Sequence, residues 1–138
     1  MDLLLLKPWT VSAGAPAFPV SPAARVRVPN AASYLAQKLL VRGKRKPADR
    51  AKDILYIHDT LDLFAGSLEA ISQQWRKDVR PALFPRARHF LRRAATALFG
   101  EVTEPIVEAE RQAKAAGRSL TAETILAVCR HGLEAVFE

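Results

Sequence analysis

The chain has very little cysteine and no long apolar run. Among its 138 residues there is one cysteine, Cys129, so an internal disulfide is excluded. That usage fits a reducing compartment and favours the cytoplasm. The apolar run near the N-terminus ends at Leu6, far short of the ~20 residues that a membrane span requires. We therefore expect a cytoplasmic protein without a membrane partner.

Several sequence motifs that carry chemistry are also missing. The chain has no glycine-rich phosphate loop, no dinucleotide fingerprint and no serine-nucleophile motif. The three histidines, His58, His89 and His131, do not have the spacing of a metal site. These absences argue against P-loop, dinucleotide-dependent and zinc-dependent enzymes.

The positive charge is concentrated in the first hundred residues. Residues 1–100 hold 17 Lys and Arg against 7 Asp and Glu, a balance of +10, whereas residues 101–138 hold 4 against 7, a balance of −3. A basic body with an acidic end favours a polyanionic partner for the body, although the same pattern serves solubility or the binding of an acidic protein.

The pattern of apolar residues and breakers predicts an α+β, predominantly α, single domain over residues 1–138. Two short strands are expected, at Asp2–Leu6 and Arg25–Val28, joined by a proline-rich connection without regular structure. Asn30 and Thr121 are suited to cap helix N-termini, as is Ser67. After Asn30 a bundle of about six helices is predicted, over Ala31–Arg42, Pro47–Phe64, Leu68–Val79, Arg86–Phe99, Glu104–Ala116 and Ala122–Phe137.

Lys38 is the residue in the first helix that most needs an explanation. It lies one turn beyond Tyr34 and Leu35, on the face expected to be apolar. A cation on a buried face is costly unless an anion meets it. The alternative is that its stem packs on the helix while its ammonium reaches water. In the next helix Lys52 and Asp53 are adjacent, and Asp53 is a candidate to orient Lys38.

The strand, the helix with an inward lysine, the basic loop and the lysine–aspartate pair resemble the second half of AbiE-type minimal nucleotidyltransferases, over about residues 2–66. The resemblance implies that residues 1–29 are the strand–loop–strand edge of a nucleotidyltransferase-like sheet and residues 30–138 its helical part. It implies that Lys38 contacts the phosphates of an NTP and that Asp53 supports it. Arg45 and Lys52 would be additional phosphate contacts, and Mg²⁺ would be the metal, with Asp2 as one ligand.

The family's Gly-Ser turn and paired carboxylates are missing from this chain. It therefore looks like the back half of such an enzyme: a split subunit, a degenerate relative or a truncated frame. We expect little turnover from it alone, and a missing N-terminal half, a second copy or a toxin–antitoxin partner would be its protein partner. An exposed edge at Leu3–Leu6 would then favour dimerisation or poor solubility.

Two basic clusters suggest a different class of function, a non-enzymatic nucleic-acid-binding helical module. The first cluster consists of Arg42, Lys44, Arg45, Lys46, Arg50 and Lys52, and the second of Arg76, Lys77, Arg80, Arg86, Arg88, Arg92 and Arg93. Solvated charged faces would explain the same runs, but the arginines and nearby aromatic residues favour contact with tRNA or another nucleic acid. A third possibility is an assembly protein that uses its basic body and acidic end. The predicted nucleic-acid contacts are Arg42, Arg76, Arg80, Arg88 and Arg92.

Overall fold

The computed structural model describes residues 2–14 and 24–138, and its N-terminal part is a two-stranded antiparallel ribbon. Strand β1 spans Trp9–Ala13 and strand β2 spans Ala24–Val28. Trp9 pairs with Val28 at one end of the ribbon, and Ala13 pairs with Ala24 at the other. The second predicted strand is thus confirmed.

The first predicted strand is wrong, because Leu3–Leu5 forms a 3₁₀ turn. The Asp2 carboxylate accepts a hydrogen bond from the backbone N–H of Leu4, and the Leu6 N–H bonds back to the carbonyl of Leu3. These local bonds close a turn that packs Leu3 and Leu6 against the helical core. The predicted free strand edge at Leu3–Leu6 therefore does not exist. The strand lies instead at Trp9–Ala13, inside the connection predicted to be irregular, of which residues 15–23 are outside the described part.

Six helices follow the ribbon, and their positions confirm the predicted order. Their bounds are α1 Ala31–Val41, α2 Pro47–Leu63, α3 Leu68–Gln74, α4 Pro85–Phe99, α5 Glu104–Ala115 and α6 Ala122–Phe137. A π-helical turn, Trp75–Val79, continues α3. None of the described helices combines the length and apolar character needed to cross a membrane.

Two of the three predicted N-caps are made. The Asn30 side chain accepts a hydrogen bond from the Ser33 N–H at 2.8 Å, and Thr121 accepts one from the Thr124 N–H at 3.2 Å. Ser67 makes no such bond, because a 3₁₀ turn at 65–67 runs directly into α3. Asn30 also donates to the carbonyls of Leu6 and Lys7. It thereby ties the N-terminal segment to the start of α1.

One hydrophobic cluster joins the helices, and α2 packs against both α5 and α6 within it. Among its fully buried side chains are Trp75, Phe99, Leu61 and Ile106. Helix α4 packs against α1 and α6. The connection from α1 to α2 and the exposed side of α4 are brought to the same side of the molecule, which positions the basic residues described next.

Candidate functional site

Lys38 and Asp53 meet inside the protein. The Lys38 Nζ lies 2.7 Å from the Asp53 Oδ1, and the two residues are only 8% and 6% exposed. Helix α1 carries the lysine and the second turn of α2 carries the aspartate, 15 positions further along the chain. Asp53 is thus the anion that a buried lysine at this position requires. The alternative, a lysine that reaches water, is excluded by its burial.

Arg45 completes this site from the connection between α1 and α2. Its Nε donates to the other carboxylate oxygen, Asp53 Oδ2, at 3.1 Å. The Arg50 Nε in turn donates to the Arg45 carbonyl at 2.9 Å, which fixes the bend of the connection. Asp53 therefore accepts one bond on each oxygen, and the three residues together carry one net positive charge.

Two tyrosine rings enclose the lysine ammonium. The Nζ lies 5.3 Å from the centroid of Tyr34 and 4.9 Å from that of Tyr56, within the range of cation–π attraction. Burial raises the pKa of the Tyr34 hydroxyl, and the negative charge of Asp53 and the proximity of Tyr56 add to the rise. Because Arg45 and Tyr56 are the more exposed members, a ligand would approach the ammonium past these two side chains.

The other two residues that the resemblance brought to this site lie apart from it. Lys52 is exposed and makes no ion pair with a described residue. Asp2 is exposed and caps the N-terminal 3₁₀ turn. Among residues 2–14 and 24–138, no group of three or more His, Cys, Asp or Glu side chains is placed to hold a metal ion. The donor set around Asp2 therefore does not fit Mg²⁺ without further ligands, and the metal stays a prediction.

A groove beside the connection between α1 and α2 is lined by residues of both basic clusters. It encloses about 820 Å³ between the end of α1, the start of α2 and one side of α4. The first cluster contributes two arginines and the second contributes two more. The lining consists of Arg42, Gly43, Arg50, Pro85, Arg86, His89, Phe90, Arg93, Ala94 and Ala97, with no carboxylate among them. We call it the basic groove.

The arginines of the basic groove are not neutralised by the described part of the chain. None of Arg42, Arg50, Arg86 and Arg93 forms an ion pair there. Partial burial lowers the pKa of Arg42, and the positive charge of Arg50 lowers it further. The guanidinium groups of Arg42 and Arg50 thus repel each other on a partly buried side of the basic groove. A bound anion would relieve that repulsion.

The predicted nucleic-acid residues are distributed over several faces. Arg42 lines the basic groove. Arg76 pairs with Glu69 at 3.0 Å, and Arg88 donates to the Leu83 carbonyl at 2.9 Å. Arg80 sits in the short 3₁₀ turn after α3. Arg92 lines a separate cavity of about 500 Å³ between α4 and α6. Of these five arginines, only Arg42 lines the basic groove.

Arg86 and Arg93 belong to the second basic cluster of the sequence but are not among the predicted nucleic-acid contacts, although a signal for them exists. Arg86, Phe90, Arg93 and Ala97 follow one another at intervals of four, three and four residues, which places them on one helix face. Arg88 and Arg92, with the same spacing, fall on another face. Sorting the α4 arginines by helical position would have separated the two sets.

Comparison with known proteins identifies no family. No protein-family model matches the chain, and no curated protein and no solved structure is detectably similar to it. The resemblance to minimal nucleotidyltransferases therefore stays a prediction.

Proposed function

We propose that this protein binds nucleic acid through the basic groove. One observation carries the proposal: arginines from two separate segments line a single groove that contains no carboxylate. A guanidinium group matches a phosphate bidentately, and a row of them follows a sugar–phosphate backbone. The electrostatic contact would supply most of the affinity.

An aromatic residue in the groove favours a single-stranded ligand. The Phe90 side chain lines the groove and the residue is 49% exposed, with His89 beside it. Proteins that hold single strands combine a positive groove with rings on which bases stack. Unstacked bases are accessible in single strands and in RNA loops or ends, whereas a duplex hides their faces.

The proposal is tested by fluorescence anisotropy with labelled 20-nucleotide single-stranded RNA and DNA. The double variant Arg86→Gln/Arg93→Gln removes two groove charges. The matched control Arg76→Gln/Arg111→Gln removes two charges that lie in exposed ion pairs away from the groove. We expect the groove variant to bind at least tenfold more weakly and the control to change by less than threefold. Equal losses in both variants would show that net charge, and not the groove, is responsible.

Nucleotide transfer is the second candidate function. The observation that favours it is the direct contact between Lys38 and Asp53, the two residues to which the resemblance assigns roles at the phosphates of an NTP. In that function Lys38 and Arg45 would offset negative charge on the triphosphate, and Asp53 would hold both cations in place. This chain's own residues would supply the phosphate side of such a site. The nucleotide would come from ATP, GTP, CTP or UTP.

Isothermal titration with the four nucleoside triphosphates tests this candidate. Arg45→Gln is the informative variant, since Arg45 is partly exposed and its loss leaves the buried Lys38–Asp53 pair intact. Lys52→Gln is the control. Binding that is lost with Arg45→Gln and kept with Lys52→Gln would support the phosphate site. Absence of binding at millimolar nucleotide would contradict it for this chain.

A further inference from the structure

The ribbon formed by β1 and β2 has one polar and one apolar face. Side chains of paired residues lie on the same face, and successive residues alternate. The register pairs Thr10 with Arg27 and Ser12 with Arg25, so these four share one face. All four are exposed. The opposite face carries the pairs Trp9–Val28, Val11–Val26 and Ala13–Ala24.

The ribbon is anchored at its base, at the Trp9 end of its apolar face, whereas Val11 and Val26 further along that face are 39% and 42% exposed. The Trp9 ring packs edge-on against Phe64 with a centroid distance of 5.5 Å, and Ala13 is buried. The Asn30 side chain holds the carbonyls of Leu6 and Lys7 just before β1 begins. This anchoring leaves the polar face directed to solvent, where it presents two guanidinium and two hydroxyl groups.

The polar face carries positive charge that no described acidic residue offsets. Neither Arg25 nor Arg27 forms an ion pair within residues 2–14 and 24–138, and residues 15–23 contain no Asp or Glu. Arg25 and Arg27 present two positive charges to solvent on the same face of one strand. A partner that complements this face in charge is negative.

We propose that this polar face enters the major groove of duplex DNA. A two-stranded ribbon fits the ~12 Å width of that groove, whereas the major groove of A-form RNA is too narrow for side-chain contact. Arginine pairs with the O6 and N7 edge of guanine, and Ser or Thr bonds to any base edge. Arg25 and Arg27 are about 7 Å apart along the strand, which matches the rise of about two base pairs.

This surface is separate from the basic groove. The ribbon joins the start of α1 through Asn30, whereas the groove begins after the end of α1, at Arg42. An eleven-residue helix puts about 16 Å between these two ends. The ribbon thus adds a contact beyond the proposed single-strand function, and substitutions at one site leave the other in place.

A set of three probes tests the inference: a 20-base-pair DNA duplex, the same duplex in RNA and a 20-nucleotide single strand. For Arg25→Gln/Arg27→Gln we expect at least a tenfold loss on duplex DNA and less than a threefold change on the single strand. For the groove variant Arg86→Gln/Arg93→Gln we expect at least a tenfold loss on the single strand and less than a threefold change on duplex DNA. Both ribbon substitutions are at solvent-facing positions, and circular dichroism is the control for folding of the variant.

The charge-conserving variant Arg25→Lys/Arg27→Lys separates base contact from simple attraction. Selection from duplexes with a randomised centre should enrich a guanine-containing sequence strongly with the unaltered protein and more weakly with this variant, because a lysine ammonium lacks the planar fork of arginine. Equal duplex binding by the unaltered protein and Arg25→Gln/Arg27→Gln would overturn the ribbon inference alone. The groove function would be overturned if neither the unaltered protein nor either variant bound the single strand. The ribbon inference would still be supported if Arg25→Gln/Arg27→Gln lost binding to duplex DNA.

Discussion

The Lys38 Nζ lies 2.7 Å from the Asp53 Oδ1 in a buried position, and the second Asp53 oxygen is bound by Arg45. The three residues come from α1, α2 and the connection between them. This shared carboxylate and the Arg50–Arg45 bond hold the connection, and Arg42 in the connection and Arg50 in the first turn of α2 line the basic groove. The buried pair therefore supports the exposed surface that we propose to bind nucleic acid.

Removing the aspartate should cost more stability than removing the lysine. Asp53→Asn leaves the Lys38 ammonium buried without an anion, and breaking a buried pair in this way costs about 3–5 kcal/mol. After Lys38→Met the Asp53 carboxylate still has Arg45, so the loss should be smaller. Urea unfolding of the two variants measures which of them loses more free energy of unfolding.

Lys52, the exposed neighbour of Asp53, provides the control for the Lys38–Asp53 pair. Lys52→Gln should change the free energy of unfolding by less than about 0.5 kcal/mol, as expected for a surface site. A larger loss for Lys38→Met than for Asp53→Asn would contradict the shared-carboxylate arrangement.

Gly132 allows α6 to approach α2 closely. A Cβ at this position would lie 2.7 Å from the Leu61 Cδ2, so Gly132→Ala must displace the leucine side chain. Overpacking of this kind costs about 1–3 kcal/mol. Thermal unfolding should show the loss, and Gly66→Ala, which would meet no atom within 4 Å, should not. Equal melting temperatures for Gly132→Ala and the unaltered protein would contradict the close packing.

Asp59 should make stability depend on acidic pH. Burial raises the pKa of this carboxyl, but bonds from Arg118 and His58 lower it more, so the folded-state pKa lies below the usual value. Arg118 reaches both carboxylate oxygens, at 2.6 and 3.0 Å. The stabilisation is fully present above the unfolded-state pKa of about 4 and is lost as the pH falls through the folded-state value.

The substitution Asp59→Asn therefore has a defined pH signature. At pH 7 the variant should be less stable than the unaltered protein, by about 0.5–1 kcal/mol because the pair is partly exposed. The difference should shrink toward zero as the pH falls below 4. Urea unfolding between pH 2 and 7 measures it, with Glu101→Gln as a control. A difference that stays constant over this range would rule out the Asp59–Arg118 contribution.

Phe90 should contribute to single-strand binding through its ring. Loss of one stacking contact weakens binding by about 1–3 kcal/mol, so Phe90→Ala should reduce affinity for a 20-nucleotide strand by about 5- to 160-fold. Phe84 is 82% exposed but is not part of the groove lining, which makes Phe84→Ala the matched control. Similar affinities for the two variants would argue against stacking on Phe90.

The helices could be predicted because their signals are local. Asn30 and Thr121 cap their helices as their side chains allow, and Pro47 starts α2 at a position where no N–H is needed. The contact between Lys38 and Asp53 was also foreseeable, because an inward lysine requires an anion and Asp53 is near in sequence. The N-terminal run was misinterpreted, since a four-leucine segment has no periodicity that distinguishes a strand from a turn.

The basic groove could not be predicted as a unit, because it depends on how α4 packs against α1. Arg42 and Arg93 are far apart in sequence, and only tertiary packing brings them to one wall. The sequence also hides which charges are already satisfied. Arg88 is held by backbone carbonyls and Arg76 by Glu69, whereas Arg86 and Arg93 have no such partner in the described chain.

The most direct test of the central claim is the salt dependence of single-strand binding. If the four groove arginines each neutralise a phosphate, the logarithm of the association constant should fall with the logarithm of the salt concentration with a slope of about −3. Removing two of them in Arg86→Gln/Arg93→Gln should reduce that slope to about −1.5. An unchanged slope in the variant, or binding that does not depend on salt, would contradict the basic groove as the nucleic-acid site.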